Sequence, residues 1–323
     1  DRRFDGSQVI ELGPVNVLGT SGEPPPPAAF NFGPQQDDKV RQWTAGIAYE
    51  GRWQGVGELS VGLQGTDYKK RIGLPTAPPT ATDARLLLWN VTLSAQIADG
   101  VSLYGGAVTG LEESGIAPNF AANRNEALPA IQTRQFDAGL RFALGPMRAV
   151  AGLFQVSKPY FNLDANGRFD VLGDVINRGV EASIAGPLTE ELSLVAGASL
   201  LWPRVTGAAV DEGRIGRLPV GAITERFEIS ADWRPGFAPG ASLDVRLSYR
   251  SPEMATVSNL VSVPARTIVD LGGRYTFRLV GQSAVLRVQV ANLFNEKGFD
   301  LRGAGAYGPL PGRVAQAYVT MDF

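Results

Sequence analysis

A few short segments of the chain combine residue types at spacings that could do chemistry. Gly303-Ala304-Gly305-Ala306-Tyr307-Gly308 fits G-x-G-x-x-G, the pattern with which a strand-to-helix turn cradles a pyrophosphate. Such a site needs a helix after its last glycine. Pro309 and Pro311 follow here, so a flexible loop is the better reading. Lys69-Lys70-Arg71 sets three cations side by side. They could meet phosphates or an anionic ligand, or simply be solvated at a strand end. Pro24 to Pro27 read as a polyproline II turn in a long loop, a weak recognition feature.

The missing residue types narrow the chemistry further. Among 323 residues there is no histidine and no cysteine. That removes the Ser-His-Asp triad, the Cys-His pair and every histidine- or thiolate-ligated metal site. It also removes the commonest general base near neutral pH. We assign no catalytic residue, no metal ligand and no cofactor, and an enzyme is not expected. The formal net charge of -2 gives no footprint for nucleic acid. Asp1 opens no basic start followed by an apolar run. Either a signal peptide has been removed or the chain begins inside a longer protein.

These residues sit on elements with a period of two. In Leu243-Asp244-Val245-Arg246-Leu247-Ser248-Tyr249-Arg250, Leu, Val, Leu and Tyr share one face, and Asp, Arg, Ser and Arg the other. Residues 226–234 and 87–97 alternate in the same way. No comparable stretch has helical spacing. The hydrophobic share is 44% and the mean hydropathy -0.03, with no run near the roughly 18 apolar residues of a membrane helix. Barrel strands need only about 9–11 residues, apolar on one face.

Alternation and turn clusters predict about fourteen strands. They fall at 7–18, 41–51, 55–70, 85–98, 101–111, 131–143 and 148–160, then 175–186, 192–206, 223–234, 241–252, 265–277, 284–292 and 313–323. The connections alternate. Short ones fall near Asp99-Gly100 and Gly145-Pro146, for example, and long ones at 19–40, 71–84, 112–130, 161–174, 207–222, 253–264 and 293–312. Tight turns at one end and long loops at the other belong to membrane barrels. The fold expected is all-β, an antiparallel transmembrane β-barrel with lipid outside and a polar lumen inside. Trp43, Trp53, Trp233, Tyr249 and Phe277, near strand ends, suit aromatic girdles. Arg226, Asp232, Asp244, Arg246, Asp270, Arg274 and Arg287 suit ion-pair ladders on a lumen wall.

Five segments carry a family resemblance. Val290-Ala291-Asn292-Leu293-Phe294-Asn295 resembles the "V-x-N-L-F-[DN]" segment before the final loop of TonB-dependent receptors. Asn177-Arg178-Gly179-Val180-Glu181 resembles their "N-R-G-V-E" strand start, and residues 136–160 the hairpin before it. Leu103-Tyr104 with Gly110-Leu111-Glu112-Glu113-Ser114-Gly115 is similar to the siderophore-type version. The last strand, with Val319, Met321 and terminal Phe323 on its apolar face, resembles the signal read by the barrel assembly machinery.

The resemblance implies a Gram-negative outer-membrane receptor for energised uptake of an iron-siderophore or similar nutrient. Members carry a plug domain, a TonB-contacting box and twenty-two strands. Plug and box are missing here, so residues 1–323 are expected to be the C-terminal portion of such a barrel. Implied partners are the small ligand, the TonB complex through the missing N-terminal region, membrane lipid and lipopolysaccharide (the last at Lys69, Lys70 and Arg71), and the assembly machinery. Ligand capture is expected at loops and upper lumen walls. The candidates are Arg124, Tyr160, Phe161, Trp202, Arg204 and Tyr307. Aromatic faces suit catecholate or hydroxamate chelates and Arg their charge, though any of them could instead pack a loop. Three competing readings stand. One is a stand-alone fourteen-stranded passive channel, porin-like, whose first strand closes on its last. The others are an outer-membrane enzyme and a soluble β-rich binding module.

Overall fold

The computed structural model describes residues 2–6, 33–74, 77–118, 120–164, 166–303 and 306–321. In chain order the first strands are β1 (Arg2–Gly6), β2 (Gly33–Trp53), β3 (Gly57–Leu74), β4 (Ala77–Ala98), β5 (Val101–Glu112) and β6 (Ile131–Leu144). β7 (Met147–Leu163), β8 (Phe169–Pro187) and β9 (Leu192–Thr206) precede a single helical turn, α1 (Ala208–Asp211). Then come β10 (Glu225–Trp233), β11 (Ala241–Arg250), β12 (Glu253–Met254), β13 (Ser262–Val263), β14 (Arg266–Leu279) and β15 (Gln282–Ala291). The chain ends on β16 (Phe299–Gly303), β17 (Ala306–Pro309) and β18 (Val314–Met321).

Fourteen of these form one antiparallel sheet among the described residues, in the order β1 to β11, β14, β15, β18. Every neighbour in the sheet is the next long strand in sequence, so the sheet is a plain meander. β12–β13 and β16–β17 are two-stranded ribbons within outer loops. Thirteen of the expected strands coincide with the sheet. The expected strand 7–18, the prolines Pro24 to Pro27, and Phe323 lie outside the described residues.

Turn chemistry explains the short end. Asp99-Gly100 joins β4 to β5 and Gly145-Pro146 joins β6 to β7, with Gly100 at φ 70° and Gly145 at φ 61°. Both are left-handed, a conformation that costs glycine little.

The long end differs from expectation. Residues 71–84, expected as a loop, are nearly all strand: β3 runs to Leu74 and β4 begins at Ala77. β4 pairs with β5 only from Asn90 to Ala98. Its upper half is therefore an edge, where Pro78 and Pro79 do not break a ladder. At Trp89 the side chain of Thr109 ends that ladder: its hydroxyl accepts from the Trp89 N–H at 2.7 Å and bonds the Trp89 carbonyl at 3.3 Å. Residues 112–130 and 207–222 remain loops, but folded ones. Around α1 a small core forms from Val175, Val205, Ala209, Val210 and Ile215. Val175 and Val205 face each other across β8 and β9.

Candidate functional surfaces

Register sorts every side chain to one of two faces. Ile47 lies opposite Leu63, and Leu63 opposite Trp89. This face is apolar and bare: Trp43 is 73% and Ile47 79% exposed. Trp43 and Trp53 lie on that face of β2, ten residues apart. That is about 33 Å along a strand and ~23 Å along the normal at the tilt of membrane strands, close to the ~25 Å apolar band of an outer-membrane barrel.

The other face is polar. Glu228 holds Arg246 at 3.5 Å and Arg226 at 3.6 Å, and Asp232 holds Arg234 at 2.8 Å and also Arg274. The expected ladder therefore forms through Arg226, Asp232, Arg246 and Arg274. Asp270 instead accepts the Asn292 backbone N–H at 2.8 Å. No ion pair among the described residues involves Asp244 or Arg287. Tyr104 also lies on this face, with the Arg141 guanidinium 4.4 Å from its ring centroid.

The family-like segments turn out to be structural fastenings. Glu112 reaches Lys158 of β7 at 3.3 Å, and Glu113 reaches Lys70 of β3 at 3.0 Å. The Ser114 hydroxyl donates to the Leu128 carbonyl, closing the loop on itself. Gly179 leaves room for a ring, since a Cβ there would sit 2.5 Å from Phe154. Asn292, at φ 50° and 5% exposed, donates to the carbonyls of Glu296 and Pro311 and accepts the Glu296 N–H.

Lys69-Lys70-Arg71 does not act as one cluster. Lys70 faces inward at 2% exposure, donates to the Ser114 carbonyl at 2.6 Å and lies 3.7 Å from Asp38. Lys69 and Arg71 share the outward parity of Leu63 and are exposed. The signal was in the sequence: adjacent strand residues point to opposite faces.

The six ligand candidates do not converge. Tyr160 packs on the α1 core, and its hydroxyl accepts a hydrogen bond from the Asn162 amide at 2.9 Å. Phe161 stacks on Phe169 with centroids 6.3 Å apart. Tyr307 meets Phe299 edge-on within the β16–β17 ribbon. Arg124 is exposed in the loop 112–130. Trp202 and Arg204 do lie together, but on the outward face. Trp202 pairs with Arg178, and the next outward pair down is Leu200 with Val180. With Arg178 and Arg217 they line a groove of about 920 Å³. Sequence reasoning did not single out Arg178 or Arg217 for any site. Parity alone would have put Arg178 on the apolar face. Val319 is also outward, pairing with Leu286, and Met321 pairs with Ala284.

An apolar outer face, a charged inner face, tight turns at one end and folded loops at the other define the wall of a transmembrane β-barrel. The family model described as TonB dependent receptor-like, beta-barrel, matches residues 8–293. The chain belongs to that family, whose members are outer-membrane receptors rather than enzymes. It is 25% identical over 232 residues to the ferrichrome receptor FcuA of Yersinia enterocolitica, a match covering 69% of this chain and 30% of the relative. Among solved structures it resembles BauA, the ferric preacinetobactin receptor of Acinetobacter baumannii. That likeness has a TM-score of 0.79 and 25% identity over 95% of this chain and 47% of BauA. The ferric-catecholate import receptor Fiu of E. coli K12 shares the fold at a TM-score of 0.74 and 14% identity, over 99% of this chain and 50% of Fiu. The chain thus spans less than half the length of FcuA and of BauA.

Proposed function

We propose that this chain is the C-terminal part of the barrel of an outer-membrane receptor that takes up an iron-siderophore or a similar nutrient. The observation that carries the reading is membership of the receptor family over residues 8–293. The names of FcuA and BauA, receptors for ferrichrome and ferric preacinetobactin, point to ferric chelates as the ligand class. Energy would come from the TonB complex through an N-terminal region outside this chain. Ligand would be captured at the loop end, near Arg124 and Tyr307. Val319, Met321 and Phe323 would serve the assembly machinery, and outward Lys69 and Arg71 would meet lipopolysaccharide phosphates. The alternative, a passive channel, would need the expected first strand, 7–18, to pair with β18, and residues 7–18 lie outside the described residues.

Uptake is tested in the source bacterium. Deleting the gene should abolish TonB-dependent accumulation of radioiron from one ferric chelate in a panel of catecholates and hydroxamates, and the intact gene should restore it. Unchanged accumulation for every chelate, together with passive conductance of the purified protein, would replace the receptor by a channel.

A further inference from the structure

The groove at Trp202 lies where β9 outruns its neighbour. β10 ends its pairing at Glu225, opposite Leu200, while β9 continues to Thr206. Among the described residues the exposed edge is fastened at two points: the Leu201 N–H donates to the Thr224 carbonyl at 2.7 Å, and the Val205 N–H to the Arg217 carbonyl at 2.8 Å. Pro203, between them, has no N–H to satisfy. The chain from Arg217 to Glu225 thus bows away from β9 and leaves a notch. Its charges are Arg178, Arg204, Arg217 and Glu225, three positive and one negative. Arg178 donates its Nε–H to Gln155 at 2.7 Å, and its other donors make no hydrogen bond among the described residues. Arg204 and Arg217 are exposed and make no ion pair among the described residues.

Below the notch, on the same outward face, a trough opens where the side chains become small. Ala151 lies opposite Ala182, and Ala182 opposite Ala198. Leu153, Leu200 and Phe227 stand around this row, and the trough holds about 630 Å³ with almost wholly apolar walls. Leu200 lines both the notch and the trough. A cationic notch therefore runs directly into an apolar channel, at the loop end of the membrane-facing band.

We propose that this surface binds one molecule of a lipid with a phosphomonoester head. The head sits among Arg178, Arg204 and Arg217, and an acyl chain lies in the alanine trough. Charge complementarity selects the head. Three cations less one anion leave two positive charges, which match a phosphomonoester dianion better than the single charge of a phosphodiester. Guanidinium forks offer the paired donors that phosphate oxygens accept. Trp202, 60% exposed, suits the headgroup boundary, where indole rings concentrate. The site rests on the membrane placement proposed above but not on uptake of any ligand.

The test uses the parent protein extracted from outer membranes in mild detergent, with heat-modifiable migration as proof of a folded barrel. Native mass spectrometry would follow retention of a synthetic diphosphoryl acylated glycolipid, its dephosphorylated counterpart and phosphatidylglycerol. The wild type should retain the diphosphoryl lipid at least about tenfold better than the other two. The triple change R178Q, R204Q, R217Q should remove that preference. A second variant, A182L, fills the trough without touching charge and should weaken retention of all three lipids. Equal retention of phosphatidylglycerol would overturn the phosphomonoester assignment. Unchanged retention in both folded variants would overturn the site. Failure to find the protein in outer membranes would instead count against the membrane placement, and is read separately by fractionation.

Discussion

Lys69, Lys70 and Arg71 are neighbours in sequence and strangers in space. Lys70 is sealed against Asp38, Glu113 and the Ser114 carbonyl, while Lys69 and Arg71 face outward. Removing one partner of a buried ion pair leaves charge without its counterion, at a cost of about 3–5 kcal/mol. Because Glu113 is 38% exposed, the lower end applies. We expect K70M to destabilise the protein by about 3 kcal/mol and to expose residues 113–130 to protease. K69M should stay within ~0.5 kcal/mol of wild type. Denaturant midpoints in detergent, with mapping of the cleavage sites, would decide, and equal midpoints would show that Lys70 holds nothing. The inward direction of Lys70 was legible from parity. Its partner was not, because Glu113 lies 43 residues away and only the meander of β3, β4 and β5 brings it close. Trp202 and Arg204 were read as ligand contacts from residue type, although the same parity, carried along β9 from Leu200, turns them outward.

At the scale of elements, glycines and one asparagine set how strands and loops fit. A Cβ at Gly152 of β7 would lie 2.5 Å from the Tyr104 hydroxyl of β5, with the Ala138 carbonyl next at 3.3 Å. Overpacking of this kind costs about 1–3 kcal/mol. G152A should therefore destabilise, and Y104F in the same chain should recover most of the loss by removing the clashing oxygen. A double-mutant cycle read by denaturant unfolding would measure this, and simple additivity would refute the contact. Asn292 does the corresponding work for the last loop. N292A removes partners from the Glu296 N–H and two carbonyls and puts a side chain that avoids positive φ at 50°. Each buried group left bare costs about 1–3 kcal/mol. Protease should then cut within residues 293–313, where the wild type resists, while the strands stay protected. Strand positions were readable because alternation is local. The height of the strands was not: residues 71–84, rich in proline and threonine, read as a loop. Yet they continue a ladder, because on an unpaired edge proline interrupts nothing.

The whole molecule is governed by the two edges of its sheet. Among the described residues β1 and β18 end the sheet, and β18 has no strand partner on one side along its eight residues. Every second residue points its N–H and C=O to that side, giving roughly eight groups. In hydrocarbon each costs about 2–4 kcal/mol, for a total near 15–30 kcal/mol. That exceeds the ~5–15 kcal/mol by which a folded domain is stable. The sheet can therefore stand in a membrane only if further strands bridge β1 and β18 or if the two edges meet. The first is the receptor proposed above, in which a region before this chain would supply about eight strands. The second is the passive channel. Exporting residues 1–323 alone behind a signal peptide separates them. We expect no heat-modifiable, protease-resistant species from the chain alone, and recovery of one when its upstream region is restored. A folded band from the chain alone, with steady conductance in planar bilayers, would mean that β1 and β18 close on each other. The bridging strands would then be unnecessary, and the plug-free channel would replace the receptor as the account of this protein.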